Sequence, residues 1–284
     1  AAIVGGRSNV CSATTAFIGG GYSNSATTGQ AITVCGGQSN SCASNYGSVV
    51  GGRQNAVASG CLDGFVGGGY HNTLTGSNSG IVISGGTFNT ASGARSTTSG
   101  GYRNTNSGLC AAIGGGKYNT CSGSYSSAPG GLQCKADKWG QRVQAAGMFS
   151  ANGDAQRSTF VLRKQTTNNT QSEIFLDNSA ARLTMSNNTT WAFQGMLVAR
   201  RTDVDGTNSS WTFSGMITRN TNAASTSLVG ACTPTVITQD AGAAATAVDV
   251  TADTTNGSLR FRVTGETGKT YNWVLYLSTV EVTG

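Results

Sequence analysis

A short motif that recurs about every fifteen residues constrains the fold of this chain more than any other feature. Each copy has an apolar residue, a Gly-Gly pair shortly after it and an Asn three positions beyond the pair. Successive copies are 15 to 17 residues apart. Eight copies in register are typical of a repeat architecture. Their Asn residues are Asn9, Asn24, Asn40, Asn55, Asn72, Asn89, Asn104 and Asn119.

The length and composition of one repeat predict an all-β fold, a parallel β-solenoid. A period near 15 residues is too short for a helix pair, and each repeat holds two short strand-like stretches, such as 47–50 and 55–58. The Gly pairs supply the positive φ angles of tight turns. One repeat per turn gives a rise of about 4.8 Å. The eight Asn side chains then form a column whose amides bond the backbone of neighbouring coils.

The residue two positions after each Asn falls into a second column, which is mostly small and apolar and therefore predicted to face inward. Three of the eight Cys lie in it, and no Cys-x-x-Cys occurs. Reduced thiols that pack like small apolar residues explain the Cys better than disulfides or a metal site. The column consists of Cys11, Ala26, Cys42, Val57, Leu74, Ala91, Asn106 and Cys121.

A solenoid of this composition needs cover from another surface. Residues 1–134 contain 30 of the 42 Gly, and each repeat offers two or three branched apolar side chains. Burying one of them contributes about 1.5–3 kcal/mol, whereas ordering one residue costs about 1–2 kcal/mol. Copies of the chain around a cyclic axis would supply the missing contacts. The repeats therefore predict an obligate homo-oligomer, with a trimer favoured.

The second half has a different composition and a different period. Residues 150–284 carry ten basic and ten acidic residues and three of the four Trp. Alternating strands separated by turn signals predict an antiparallel β-sandwich with a jelly-roll-like topology. The expected domains are a solenoid shaft over 1–134, a neck over 135–157 and a sandwich tip over 158–284. The expected strands are 159–164, 173–176, 191–200, 211–218, 236–238, 247–251, 259–264 and 271–282.

The Gly-Gly-x-x-Asn repeats resemble the left-handed parallel β-roll of trimeric autotransporter adhesin heads, which also occurs in phage tail fibres. Segments such as Gly153-Asp-Ala-Gln-Arg-Ser158 and Phe160-Val-Leu-Arg163 are similar to a C-terminal domain of phage fibres. The resemblance implies a homotrimeric tail fibre on the virion, outside the cell, that attaches to a host surface glycan or protein. Other tail proteins are expected at the N-terminal end, because Ala1 begins in mid-repeat without a polar cap.

Three alternatives to the fibre remain open. A bacterial trimeric surface adhesin ranks second, because the chain has no sustained heptads and ends Glu-Val-Thr-Gly284 without the expected membrane anchor. A structural filament would stack its solenoid ends. A glycan-degrading tailspike would need two carboxylates about 5–9.5 Å apart. The solenoid has Asp63 alone for this purpose, so the sequence predicts a protein that is not an enzyme.

Binding is expected in two loops of the second half, around 203–208 and 265–269, because loops on a rigid scaffold concentrate binding residues. An Asp203-x-Asp205 cation site is less favoured than a plain turn beside Gly206. A column of outward-facing residues in the repeats could contact glycans, but the favoured interpretation is that these side chains are exposed to solvent and bind nothing. The predicted receptor-binding residues are Arg200, Arg201, Asp203, Asp205, Asn208, Glu266 and Lys269. The outward column is Arg7, Tyr22, Gln38, Arg53, Tyr70, Thr87, Tyr102 and Lys117.

Composition excludes several other classes of protein. The single His, His71, excludes a two-His metal site, and no motif indicates a cofactor or a metal. The net charge of +6 is not gathered in a basic cluster, so no nucleic acid partner is expected. No run of about 18 apolar residues occurs, so insertion into a membrane as a helix is not expected.

Overall fold

The computed structural model describes residues 1–204 and 206–284. They form two compact units, Ala1–Asn152 and Gly153–Gly284. Both units are built from β-strands, and the described residues hold only two short 3-10 helices. The prediction of an all-β chain that begins with a solenoid is confirmed.

The Ala1–Asn152 unit is a solenoid of about nine turns, and each repeat adds one strand to each of two parallel sheets. The strands are numbered β1 to β29 along the chain. The first sheet contains β1 (Ala2–Ile3), β3 (Phe17–Ile18), β5 (Thr33–Val34), β7 (Ser48–Val49), β9 (Phe65–Val66), β11 (Val82–Ile83), β13 (Thr97–Thr98), β15 (Ala112–Ile113), β17 (Ser127–Ala128) and β19 (Arg142–Gln144). The second contains β2 (Val10–Cys11), β4 (Ser25–Ala26), β6 (Ser41–Cys42), β8 (Ala56–Val57), β10 (Thr73–Leu74), β12 (Thr90–Ala91), β14 (Thr105–Asn106), β16 (Thr120–Cys121) and β18 (Lys135–Ala136).

The core of the solenoid is a set of inward columns in strict register. In the first sheet Ile83 pairs with Thr98, which in turn pairs with Ile113, and all three side chains are buried. The predicted inward column is buried from Ala26 to Cys121, while Cys11 in the first coil is half-buried. Strand pairing places equivalent repeat positions of successive coils next to each other. A residue type that packs well at one inward position therefore packs well at that position in most coils.

The Asn column lies inside the solenoid at the corner that follows each Gly-Gly pair. Each Asn side chain from Asn24 to Asn119 is fully buried. For Asn55, Nδ2 donates to the Gly51 and Gly69 carbonyls at 2.9 Å, and Oδ1 accepts from the Asn72 amide at 2.9 Å. The side chain therefore closes its own corner and also bonds the backbone of the next coil.

The structure differs from the neck expected over 135–157, because coil pairing continues through it. Lys135–Ala136 pairs with β16, and Arg142 pairs with Ser127 of β17. Cys134 occupies the column position in place of Asn and keeps part of its hydrogen bonding. Its amide donates to Asn119 Oδ1 at 2.9 Å, and its sulfur accepts from the Ala145 amide at 3.1 Å. The loss of Asn from the motif thus does not end the array.

The buried cysteines behave as core residues. All eight are free thiols. Burial raises the pKa of Cys42 and of Cys121 to about 11. These two thiols therefore stay protonated at neutral pH and are poor nucleophiles and poor metal ligands.

The Gly153–Gly284 unit consists of antiparallel sheets. Its elements are β20 (Ala155–Thr166), β21 (Ser172–Glu173), β22 (Leu183–Thr184), β23 (Thr189–Arg201), β24 (Asn208–Arg219), a 3-10 helix (Ala223–Ser225), β25 (Ser227–Leu228), β26 (Thr235–Gln239), a second 3-10 helix (Ala241–Ala243), β27 (Ala247–Asp253), β28 (Ser258–Thr264) and β29 (Tyr271–Thr283). Seven of the eight expected strands are present and are one to six residues longer than expected. The eighth differs, because only Glu173 of 173–176 lies in a strand, β21. The two-residue strands β22 and β25 were not expected.

Two sheets of this unit meet through aromatic side chains. The large sheet has the order β20-β29-β23-β24, with β25 and β26 on β24, and the small sheet joins β21, β22 and β27 to β28. Phe261 of β28 lies 5.0 Å from Phe213 and 6.2 Å from Phe193, between ring centroids. Trp211 stacks on Trp273 at 5.7 Å within the large sheet. The left-handed winding of the solenoid and a jelly-roll-like sandwich stay predictions.

Candidate functional site

The two loops predicted to bind lie together at one end of the large sheet. Strand β23 runs between β24 and β29, so its last residues face both neighbours. Arg200 pairs with Asn208, and Arg201 pairs with Tyr271. The Thr202 amide donates to the Thr270 carbonyl at 2.8 Å. The loop that follows β23 and the loop that precedes β29 are therefore hydrogen-bonded to each other next to the sheet.

Arg201 and Asp203 form an ion pair within the first loop. The Arg201 guanidinium donates to both Asp203 carboxylate oxygens, from Nε at 2.9 Å and from Nη2 at 2.6 Å. The Thr270 amide adds a hydrogen bond to Asp203 Oδ1 at 3.1 Å. The Arg201 hydrogen bonds hold the pKa of Asp203 well below its usual range. The carboxylate is therefore ionised at neutral pH and ties the first loop to the second.

Lys269 and Glu266 form a second ion pair, within the second loop. Lys269 Nζ bonds the Glu266 carboxylate and donates to the Gly242 carbonyl at 2.9 Å. The Tyr271 hydroxyl donates to Glu266 Oε1 at 3.2 Å. These contacts bring a third segment, the one after β26, into the same cluster.

Asn208 fixes the third segment from the other side. Its amide and its Nδ2 both donate to Asp240 Oδ2, at 2.7 and 3.2 Å, and the Asp240 amide donates to the Asn208 carbonyl at 3.0 Å. Sequence reasoning missed Asp240, Gly242 and Tyr271. A visible signal was the Asp240-Ala-Gly242 turn sequence directly after a strand.

The structure brings six of the seven predicted receptor-binding residues to one end of the sheet, and Asp205 lies outside the described residues. The six are Arg200, Arg201, Asp203, Asn208, Glu266 and Lys269. We call the described residues of these loops, 202–204, 206–208, 240–242 and 265–270, together with Arg200 and Arg201, the loop cluster. Arg201 is paired with Asp203 and Lys269 with Glu266, while Arg200, Asp203 and Asn208 remain at least partly exposed. Such mixed donors and acceptors suit hydroxyl-rich and charged ligands.

A metal ion is not indicated by the geometry of the loop cluster. Asp203 already accepts from Arg201 and Thr270. Across residues 1–204 and 206–284, no group of three or more His, Cys, Asp or Glu side chains is arranged to hold an ion.

The titration of Tyr271 provides a check on the loop cluster. Burial, and then the nearby Glu266 carboxylate, raise the pKa of Tyr271 from 10.0 to about 12. Its neutral phenol therefore contributes stability that is complete below pH 10 and is lost as the pH rises towards 12. We expect a tyrosinate absorbance step near pH 12 that is absent from Tyr271→Phe. A difference titration of the two proteins that shows this step below pH 10 would contradict the described contacts.

The outward column of the solenoid forms a ladder at the Gly-Gly corners. Its members are joined by parallel bridges from Arg7 to Tyr22 and onward to Lys117 and Leu132. The residue after each member has a left-handed backbone, with φ between 52° and 64°, from Ser8 to Gln133. Both positions project from the same corner.

Comparisons with known proteins return solved structures of phage tailspike proteins, and three of them are described in turn. No protein-family profile and no curated protein sequence matches the chain. The first is the tailspike protein gp49 from Acinetobacter baumannii bacteriophage Fri1, a capsular polysaccharide depolymerase (TM-score 0.26, 9% identity, 93% of this chain and 56% of that one). The second is the tailspike of Acinetobacter phage vB_ApiP_P1 (TM-score 0.24, 8% identity, 96% and 75%). The third is the tailspike of Acinetobacter baumannii phage AM24 (TM-score 0.26, 8% identity, 95% and 57%).

The TM-scores are low, and the tailspikes are covered only in part. The chain spans a little over half the length of two of the three tailspikes. At TM-scores of 0.24 to 0.26 the similarity supports no conclusion about activity. The proposals below therefore depend on residues of this chain.

One prediction from the sequence is nevertheless withdrawn. The chain was expected not to be an enzyme, whereas the Fri1 tailspike is a capsular polysaccharide depolymerase. The sequence argument considered only carboxylates that are close along the chain or repeated by symmetry. In the fold, Asp203 accepts from the Thr270 amide and Glu266 accepts from the hydroxyl of the adjacent Tyr271, although 63 positions separate the two carboxylates. Sequence spacing alone therefore does not decide whether two carboxylates approach each other.

The described residues contain no helix that is both long enough and apolar enough to cross a bilayer.

Proposed function

We propose that this chain is a bacteriophage tail protein that attaches the virion to polysaccharide on the host cell surface. The observation that carries the proposal is the loop cluster, in which three loops meet at one end of a rigid antiparallel sheet. Arg201 and Lys269 pin these loops to one another through ion pairs and backbone carbonyls. A pre-organised set of donors and acceptors loses little entropy when it binds hydroxyl groups.

Exposed apolar faces support a homotrimer as the working form. In the large sheet, Val161 and Met196 flank Tyr276 on the outer face, and Val274 pairs with Val198 beside them. These side chains are 46–60% exposed. In the first sheet of the solenoid Phe17 and Phe65 are exposed, as are Val4 and Val50 directly after β1 and β7. Large contiguous apolar faces on a soluble protein mark interaction surfaces. Three copies would turn weak single sites into firm attachment through avidity.

The proposal extends to finer features of the fold and the virion. We assign a left-handed winding to the solenoid and a jelly-roll-like sandwich to the second unit, both on the resemblance of the repeats and strands to phage fibres. A role as tail fibre or tailspike follows from the same resemblance.

Removing the charges of one ion pair tests the loop cluster. The double variant Arg201→Gln/Asp203→Asn removes both charges and leaves a polar side chain at each position. On encapsulated bacteria that retain the wild-type protein, we expect its retention to fall about tenfold or more, because avidity multiplies a small loss at each of three sites.

A matched control is the pair Arg262→Gln/Asp249→Asn, which removes an ion pair between β28 and β27. It should retain wild-type binding. Equal retention by both double variants would show that the loop cluster is not the binding site.

Cleavage of the bound polysaccharide is a second candidate function. It is favoured by two carboxylates of the loop cluster: Asp203 contacts Arg201 and the Thr270 amide, and Glu266 contacts Tyr271. Glycan hydrolysis uses two carboxylates. Release of new reducing ends by the wild-type protein, and its loss in Glu266→Gln, would establish this activity. Binding without any release of reducing ends would exclude it.

A further inference from the structure

Five consecutive corners of the solenoid carry an unbroken run of aromatic and cationic side chains. We call it the aromatic strip, and its members are Arg53, Tyr70, Phe88, Tyr102, Arg103, Lys117 and Tyr118. The rings come alternately from the outward position and from the left-handed position that follows it, at φ 57° for Phe88 and 58° for Tyr118. In earlier coils the left-handed position holds small or polar residues, such as Ser8, Ser23 and Ser39.

The rings of the aromatic strip form a regular staircase. Ring centroids are 5.1 Å apart from Tyr70 to Phe88, 6.0 Å from Phe88 to Tyr102 and 5.7 Å from Tyr102 to Tyr118. The ring planes meet at 73°, 86° and 82° in the same order. Edge-to-face contacts of this kind hold each ring in place against the next. The strip thus presents one ordered ring per coil.

Cations lie between the rings. The Arg103 guanidinium is 5.3 Å from the centroids of both Phe88 and Tyr102. Lys117 Nζ is 5.4 Å from the centroid of Tyr102 and 5.1 Å from that of Tyr118. At the start of the strip, Arg53 lies 4.3 Å above Tyr70. The strip therefore combines apolar ring surface with three positive charges.

The sequence around the aromatic strip supplies no compensating acid. No Asp or Glu occurs between Asp63 and Asp137. Cation–π contacts leave the net positive charge in place, because an aromatic ring carries a quadrupole and no charge. An anionic partner would be attracted to these side chains by charge complementarity.

The spacing of the coils matches a linear sugar chain. Coils advance by about 4.8 Å, and the five corners from Arg53 to Lys117 span about 19 Å. One coil is thus comparable in length to one pyranose unit of an extended polysaccharide. Aromatic rings bury the apolar C–H faces of sugars, and Arg or Lys bonds their carboxylates. We propose that the aromatic strip binds a linear acidic polysaccharide that runs along the solenoid.

Stability of the solenoid does not account for the aromatic strip. The backbone bond from the Tyr102 amide to the Gly116 carbonyl is 2.9 Å, and the equivalent bond from the Tyr22 amide to the Gly37 carbonyl is also 2.9 Å. Tyr22 has no ring neighbour among the described contacts of its corner, yet its coil stacks in the same way. The rings are therefore additions to a corner that closes without them.

The test uses the full chain and galacturonate oligomers of increasing length, with maltooligosaccharides of equal length as the neutral comparison. Calorimetric titration should detect the acidic oligomers alone, and affinity should rise with length until the oligomer covers the strip. In Tyr102→Ser/Lys117→Gln the affinity should fall about tenfold. The controls are Tyr22→Ser, in an earlier coil, and Tyr125→Ser, which has an exposed ring outside the strip.

The outcomes separate this proposal from a structural role and from the loop cluster. An unchanged melting temperature in Tyr102→Ser/Lys117→Gln, together with weaker binding, supports a binding surface. Absence of acidic oligomer binding, equal binding of neutral oligomers, or an equal loss in the two controls would overturn it. The control pair Arg262→Gln/Asp249→Asn should bind galacturonate oligomers like the wild type, and the loop cluster is tested separately, by retention on bacteria.

Discussion

Gly86→Ala should unfold the solenoid, whereas Gly85→Ala should leave it intact. A Cβ atom at Gly86 would lie 2.4 Å from the Gly101 carbonyl oxygen and 2.6 Å from Asn89 Nδ2, and the residue has a φ of +86°. At Gly85 no atom lies within 4 Å of that position, and its φ is not positive. The left-handed strain costs about 1–2 kcal/mol, and the clash with the next coil adds to it. We expect a total loss of at least about 3 kcal/mol.

Thermal unfolding followed by circular dichroism checks this pair of variants. The two variants have the same composition and differ only in which of two neighbouring glycines is replaced, so a difference between their melting temperatures reports on the position of the Cβ atom. Equal melting temperatures for Gly85→Ala and Gly86→Ala would contradict the close approach of successive coils at this corner.

Asn104→Leu should have the second large effect. Asn104 Nδ2 donates to the Gly100 carbonyl at 2.9 Å and to the Gly116 carbonyl at 3.1 Å, and Oδ1 accepts from the Asn119 amide at 2.9 Å. Leu leaves the Gly100 carbonyl and the buried Asn119 amide without these partners. Each unpaired buried group costs about 1–3 kcal/mol, so about 2–6 kcal/mol per chain is expected.

Asn106→Leu is the matched control, two residues along the same stretch and equally buried. Asn106 belongs to the inward column, where Leu74 already occupies the equivalent position in another coil. Its Nδ2 donates to the Thr97 and Ala111 carbonyls at 3.0 and 3.1 Å, but its Oδ1 has no hydrogen-bond partner, so the substitution leaves no backbone amide unpaired and removes one unsatisfied buried atom. Denaturant unfolding should show less than half the loss of Asn104→Leu. A larger loss in Asn106→Leu would contradict the special role of the Asn column.

The repeats made the solenoid predictable, because each coil presents the same residue types at the same positions. The inward column and the alternation of two short strands per repeat follow directly from that periodicity. The end of the solenoid could not be predicted from the repeats. Cys134 takes the position of an Asn side chain through hydrogen bonds to Asn119 and Ala145 that the sequence does not reveal. The solenoid therefore continues past the residue at which the motif fails.

The aromatic strip could not be predicted from one column of the repeat. Tyr70, Tyr102 and Lys117 belong to the outward column, but Phe88 and Tyr118 come from the left-handed position beside it. Viewed separately, each column holds isolated aromatic residues, which are ordinary on a surface. The run becomes continuous only when adjacent positions of successive coils are combined.

In the second unit, strand positions were predictable and strand partners were not. Alternation of apolar residues identified the long strands, but two-residue strands such as Leu183–Thr184 have no period to detect. The pairing of β29 joins it to residues of β20 that lie 105 to 127 positions away and to residues of β23 that lie 70 to 94 positions away. The two expected loops could thus be identified, while the third segment, at Asp240, depends on where β26 pairs.

The most direct test of the proposed function compares intact encapsulated bacteria with the same cells after periodate oxidation, which destroys sugar diols and leaves surface proteins in place. Purified full-length chain, labelled and sedimented with the cells, is the readout. We predict retention on untreated cells of a susceptible strain and its loss after oxidation. Retention that is unchanged by periodate would contradict attachment through surface polysaccharide.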